Sequence, residues 1–125
     1  MATIAELQAQ RAENQVRVDR LRRAERLSRN PDFKKLILDE FCVQECARYA
    51  QNSANPGLDA EARADCLGIA QASGHLRRWL QVICQMGTHA QNEITEIDEV
   101  LEEMRAADLS DDTAGNDGDE QGEAA

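Results

Sequence analysis

From residue 59 to about 107, apolar and small residues recur at alternating steps of four and three. They are Ala62, Cys66, Ile69, Ser73, Leu76, Leu80, Ile83, Gly87, Ala90, Ile94, Ile97, Leu101 and Met104. This is the heptad spacing of a helix that buries one seam along its length, and no proline interrupts it. The spacing predicts a long helix over 59–107, with Asp59 as its N-cap and Glu61 and Asp65 in its first turns. Gly68, Gly74 and Gly87 lie inside it, each costing about 1 kcal/mol relative to alanine. A loop at Gly74 or Gly87 would reset the phase of the pattern. The phase holds across both, so one continuous helix is expected. Small seam residues (Ser73, Gly87, Ala90) would let a neighbouring helix approach closely.

The N-terminal pattern is weaker. Ile4, Leu7, Val18 and Leu21 share a seam in a helix expected over 3–28, with Arg11 and Asn14 standing where apolar residues would be expected. A polar residue on a seam costs stability but can set register. A second stripe of Ala9, Val16, Ala24 and Leu27 makes the apolar face of this helix broad. Asn30-Pro31-Asp32 then punctuates the chain: an N-cap, a proline at the first helical position and an acid at the positive end of the dipole. The helix expected from there, 31–50, offers Phe33, Leu36, Ile37, Phe41, Val43, Ala47 and Ala50 as apolar surface. Asn55-Pro56-Gly57 marks the turn into the long helix.

Composition narrows the class to all-α. Ala, Glu, Arg, Gln and Leu are abundant, while aromatics are restricted to Trp79, Tyr49, Phe33 and Phe41. Such residues suit helices, and a β-fold would need more β-branched and aromatic positions. From Asp108 onward the chain is acidic, and after Leu109 no large apolar residue remains, a composition that predicts disorder. The expected architecture is therefore a three-helix, coiled-coil-like bundle over 1–107 with a long third helix, followed by a disordered acidic C-terminal tail, 108–125.

Charge is segregated within a formal net charge of −10. Residues 1–30 hold seven arginines against four acids, and 93–125 hold thirteen acids against Arg105 alone, so pairing of the arginines with Glu93, Glu96, Glu99, Glu102 and Glu103 is one expected use of them. The acidic balance argues against non-specific attachment to nucleic acid or an anionic membrane. Five arginines between Arg20 and Arg29 keep nucleic-acid association open as an alternative. No basic, apolar leader opens the sequence and no apolar run reaches the roughly 20 residues needed to span a bilayer. A place in a cytoplasm is the expectation, with reduced, buried cysteines.

No residue constellation points to an enzyme, a cofactor or a metal. Cys42 and Cys46 stand at i and i+4 on one helix, but no second close pair completes a zinc site, and core packing is the expected role of both thiols. No Ser, Cys or acid stands at a triad-like spacing from His75, and His89, next to Ala90, is expected to be half-exposed. The Glu-rich run lacks the Glu-x-x-His pairs of di-iron bundles and the glycine of a calcium loop. The residues best suited to partner contact are Arg20, Arg22, Arg23 and Arg26 on the first helix, with Arg77, Arg78 and Trp79 on the third. If exposed, Trp79 beside Arg77 and Arg78 would make a binding hot spot, but its place next to seam residue Leu80 equally predicts burial against the second helix.

Three stretches carry a resemblance: Arg26-Leu27 with Asn30-Pro31-Asp32-Phe33-Lys34-Lys35-Leu36-Ile37-Leu38, then Glu45-Cys46-Ala47-Arg48, then Gly74-His75-Leu76-Arg77-Arg78-Trp79-Leu80 with Met86-Gly87. Over about 20–105 the chain resembles small helical proteins of tailed bacteriophages. The resemblance implies a viral protein acting in the host cytoplasm or in the virion, and it carries over no catalytic residues. The expected function is a non-enzymatic virion component or assembly factor, partnered by itself or another phage protein. An acidic inhibitor of a host factor is a further alternative.

Overall fold

The computed structural model describes residues 2–123, with side chains described for 2–111. Among the described residues every regular element is helical. Helix α1 spans Ile4–Arg29, a π-helix spans Phe33–Glu45 and runs directly into α2, Cys46–Asn52, and α3 spans Ala60–Glu123. Gly74 and Gly87 do not interrupt α3, in keeping with the unbroken phase of the seam.

Local chemistry accounts for where each helix starts. Thr3 and Glu6 form a reciprocal capping box: the Glu6 N–H donates to Thr3 Oγ1 at 3.1 Å and the Thr3 N–H to Glu6 Oε2 at 3.2 Å. Asn30 Oδ1 accepts from the N–H groups of Asp32 (2.9 Å) and Phe33 (3.2 Å), as its sequence position predicts. Asp59 Oδ1 accepts from the Ala62 N–H at 2.7 Å and so caps α3. In the turn between α2 and α3, Asn55 Oδ1 accepts from the Gly57 N–H at 2.9 Å.

The second helical segment departs from expectation. Leu36 and Val43, at α-helical spacing from Phe33, are 59% and 54% exposed, and Ala47 and Ala50 are exposed too. The covered positions are instead Phe33, Ile37 and Leu38, Phe41 and Cys42, then Cys46, recurring every four to five residues. The cause is the π-helical backbone, in which the Cys46 N–H reaches back to the Phe41 carbonyl. Each π turn takes up more residues than the 3.6 of an α-helix, so the face drifts away from the stripe that an α-helical reading selects.

α3 also ends later than expected, at Glu123 rather than near 107. Extending an existing helix forms one hydrogen bond per residue without a new nucleation cost, so a change of composition alone does not stop it. The helical backbone thus enters the segment assigned to the acidic tail. The side chains of 112–123, and residues 124 and 125 altogether, lie outside the described residues.

The chain divides into two compact units, Met1–Val16 with His89–Ala125, and Arg17–Thr88. In the first, Leu7, Ile97 and Leu101 form a buried cluster with Ala2 and Met104 packed on it. Arg11 and Asn14, the two polar seam positions of α1, are both used. Arg11 grips Asp98 in a fork, Nε to Oδ1 at 2.7 Å and Nη2 to Oδ2 at 3.3 Å, while Asn14 is only 3% exposed. The hydrogen bond from Arg11, with the charges of Arg11 and Arg105, holds the Asp98 carboxyl below the ordinary carboxylate range despite some desolvation. Because the folded form has the lower pKa, this pair stabilises above the unfolded carboxyl pKa, and the contribution disappears as pH falls through the depressed value. Thermal melts of Asp98→Asn across that acidic window are expected to show a flatter pH dependence than those of the parent chain. Added salt should narrow the difference, because the pair is exposed.

In the second unit, Val18, Leu21 and Ala24 of α1 are buried, as are Ile83 and Gly87 of α3 and Cys42 and Cys46 of the middle segment. Leu21 lies directly over Gly87, the close approach that a small seam residue predicts. The Cys46 thiol donates to the Ile69 carbonyl at 3.5 Å. The end of α1 and the middle segment therefore meet α3 at different levels, near Gly87 and near Ile69. Along α3, twelve of the thirteen predicted seam positions are wholly or partly covered, and Ile69 is the exception.

A candidate interaction groove

The buried seam uses only one of the two apolar stripes on α1. Ala9, Val16 and Leu27, from the second stripe, are left exposed, and only Ala24 is covered. In the unit Arg17–Thr88 this leftover face borders a groove of about 410 Å³. Ala24, Leu27, Leu80 and Ile83 supply its apolar surface, Arg20 and Arg23 stand along α1, and Trp79 stands on α3. Helix geometry explains the grouping. Residues 20, 23, 24 and 27 share one flank of α1, and residues 79, 80 and 83 share one flank of α3.

Trp79 is 59% exposed, so its indole is only half covered by the fold. Neither Arg20 nor Arg23 has an ion-pair partner among the described residues. Where these arginines meet α3, their neighbours are Trp79, Leu80 and Ile83, in place of the expected Glu-rich run. The groove therefore presents an apolar strip, one large aromatic anchor and two uncommitted guanidiniums.

Of the seven residues expected to contact partners, Arg20, Arg23 and Trp79 come together in this groove. Arg22 and Arg26 are exposed on α1 one turn apart without lining it, and Arg77 and Arg78 are exposed on α3. Leu27, Leu80 and Ile83 were missing from the expected site. The signal for Leu27 was present in the doubled apolar stripe of α1, but which stripe would stay open is a tertiary outcome.

The other chemically notable residues fall elsewhere. Cys42 and Cys46 are buried free thiols, as the core-packing reading expects, and Cys66 and Cys84 are half-buried and free. His75 is exposed; His89 is also exposed and lies 2.9 Å from Glu93 one turn along α3. Among the described residues no three His, Cys, Asp or Glu side chains gather in an arrangement that would hold a metal ion, and no helix is long and apolar enough to cross a membrane. Comparisons with family models, with curated proteins and with solved structures returned no match.

Proposed function

We propose that this chain is a non-enzymatic phage protein that works through helix–helix contact, as a virion component or assembly factor whose partner is itself or another phage protein. The observation that carries the contact reading is the groove. A half-exposed tryptophan beside open apolar surface and two arginines without an ion-pair partner among the described residues is suited to receive a ridge of side chains from another helix. The phage assignment rests on the sequence resemblance. On this reading the coiled-coil-like bundle is an assembled state. Within Arg17–Thr88, α1 and the middle segment meet α3 in series, and an incoming helix adds a further layer at the groove.

Quantitative mass spectrometry of purified particles and of assembly intermediates tests the proposal. Many copies in either fraction are expected, and absence from both overturns it. A second reading, association with nucleic acid through 17–29, is favoured by the exposure of Arg20, Arg22, Arg23 and Arg26. It requires retention of DNA or RNA at low salt that falls steeply as salt is added.

A further inference from the structure

We infer that the groove at Arg20, Arg23 and Trp79 receives an amphipathic helix of another protein, one whose aliphatic ridge is bordered by carboxylates one helical turn apart. The inference rests on the reading of this protein as one that acts through helix–helix contact, and it gives the chemistry of the partner.

Each feature of the occupant answers a feature of the groove. The floor is aliphatic: Ile83 is buried and Leu80 half-buried, while Leu27 and Trp79 stand open along the two banks. Such a floor gains from being covered by aliphatic side chains. A nucleic-acid strand needs successive aromatic faces for its bases, and here it finds only one. From Arg20 to Leu27 the α1 bank runs about 10 Å, or two helical turns. Over that length a docked helix places anchors at i, i+3, i+4 and i+7. Arg20 and Arg23 share the bank one turn apart, so the carboxylates that meet both stand at i and i+3 or i+4 of the occupant.

Charge over the whole unit points the same way. Arg17–Thr88 carries twelve Lys and Arg against nine Asp and Glu, a net +3, whereas the rest of the chain carries two against fifteen, a net −13. On α3 no acid stands between Asp65 and Glu93, and Arg77 and Arg78 precede Trp79. Asp19 and Glu25, the acids of α1 within this unit, do not line the groove. An acidic helix is therefore drawn to this unit and a basic one repelled. The acidic part of a second copy meets the charge requirement but not the apolar one. In Met1–Val16 and His89–Ala125 the large apolar side chains exposed among the described residues are Ile4, Val16, Val100 and Leu109. The pair on α1 is twelve residues apart and the pair on α3 nine, so neither helix presents a ridge at i, i+3, i+4 and i+7. That assigns the groove to a different protein.

The test uses the full chain, with Trp79, its only tryptophan, as the reporter. Three tryptophan-free synthetic peptides of about 18 residues, five helical turns, are compared. One carries leucines at i, i+3, i+4 and i+7 flanked by glutamates. The second replaces those glutamates by lysines, and the third keeps the composition of the first but scatters its leucines around the helix. The Glu-flanked peptide is expected to move Trp79 emission to shorter wavelength until saturation, and to bind at least about tenfold more tightly than either of the others. In R20E/R23E, which alters two exposed positions, the preference is expected to turn to the Lys-flanked peptide. Far-ultraviolet circular dichroism checks that this variant remains helical; if it does not, the comparison of the three peptides on the parent chain decides. The inference is overturned by a Glu-flanked peptide that leaves Trp79 unmoved, by equal binding of the three, or by a preference that survives the charge reversal in a helical variant. Tighter binding of a single-stranded oligonucleotide at Trp79 also overturns it, giving the groove to nucleic acid. So does a Trp79 shift in the chain alone that follows dimer formation in sedimentation equilibrium, giving the groove to a second copy. A chain indifferent to the peptides yet found at many copies in particles sinks this inference alone. One that binds the Glu-flanked peptide yet is absent from particles and assembly intermediates sinks the proposed function alone.

Discussion

Gly87→Ala is expected to destabilise the protein by about 2 kcal/mol, although alanine is the better helix former. A Cβ at position 87 would stand 2.8 Å from Leu21 Cδ2 and 3.0 Å from Leu21 Cγ, and closer still to Leu21 Cβ. The Cδ2 group can rotate away, but Leu21 Cβ is fixed to its backbone, so α1 and α3 must separate at this level. Overpacking of this kind costs about 1–3 kcal/mol, and a clash with Cβ belongs at the upper end. Alanine's propensity offsets roughly 1 kcal/mol of that. Gly74 is the internal control, because nothing lies within 4 Å of a Cβ built there. Gly74→Ala should therefore stabilise by about 1 kcal/mol. Chemical denaturation of the two variants should move the midpoints in opposite directions, and a shared direction would contradict the packing described. Adding Leu21→Ala to Gly87→Ala should not restore stability, since the offending Cβ remains.

Leu101→Ala is expected to cost about 2–5 kcal/mol, the range for truncating a large side chain in a core. Leu101 is buried against Leu7 and Ile97, and these three are the buried residues of their cluster. With so few members, the cluster has little means of closing over a cavity. Small domains hold only about 5–15 kcal/mol in total, so the loss is a large share of what is available. Hydrogen exchange should show where it falls, with amides of 4–16 and 89–105 losing protection before those of 17–88. Leu67→Ala, an exposed site on the same helix, should change stability by no more than about 0.5 kcal/mol. Equal effects at positions 67 and 101 would refute the assignment of the core.

The two predictions rest on different kinds of information. That Gly87 and Leu101 belong to one seam was legible in the spacing of apolar and small residues on α3. The caps at Asn30 and Asp59 were legible for the same reason, because an N-cap depends on groups two or three residues away. The Thr3-x-x-Glu6 box was equally local, and its signature stands in the sequence at the start of α1. The middle segment was misread at Leu36 and Val43, since a sequence pattern assumes an α-helical period and the backbone over Phe33–Glu45 is π-helical; Ala47 and Ala50 lie beyond it in the α-helix Cys46–Asn52 and are exposed too. For the groove, residue type sufficed to single out Arg20, Arg23 and Trp79. It also selected Arg22, Arg26, Arg77 and Arg78, because composition does not say which flank of a helix will border a neighbour.

By itself the sequence determined the all-helical class, the helix starts and the seam along α3, while its unbroken phase favoured, and the structure decided, an α3 that runs past Gly74 and Gly87 without a break. The first three follow from interactions within one or two helical turns. Only the tertiary structure decided which α1 stripe would be covered, that Arg11 would pair with Asp98, and that Leu21 would sit on Gly87. It alone left Trp79 half-exposed in one groove with Leu27, Arg20 and Arg23. Those outcomes depend on the register between helices distant in sequence, which is set by the fit of whole surfaces and by no single local preference.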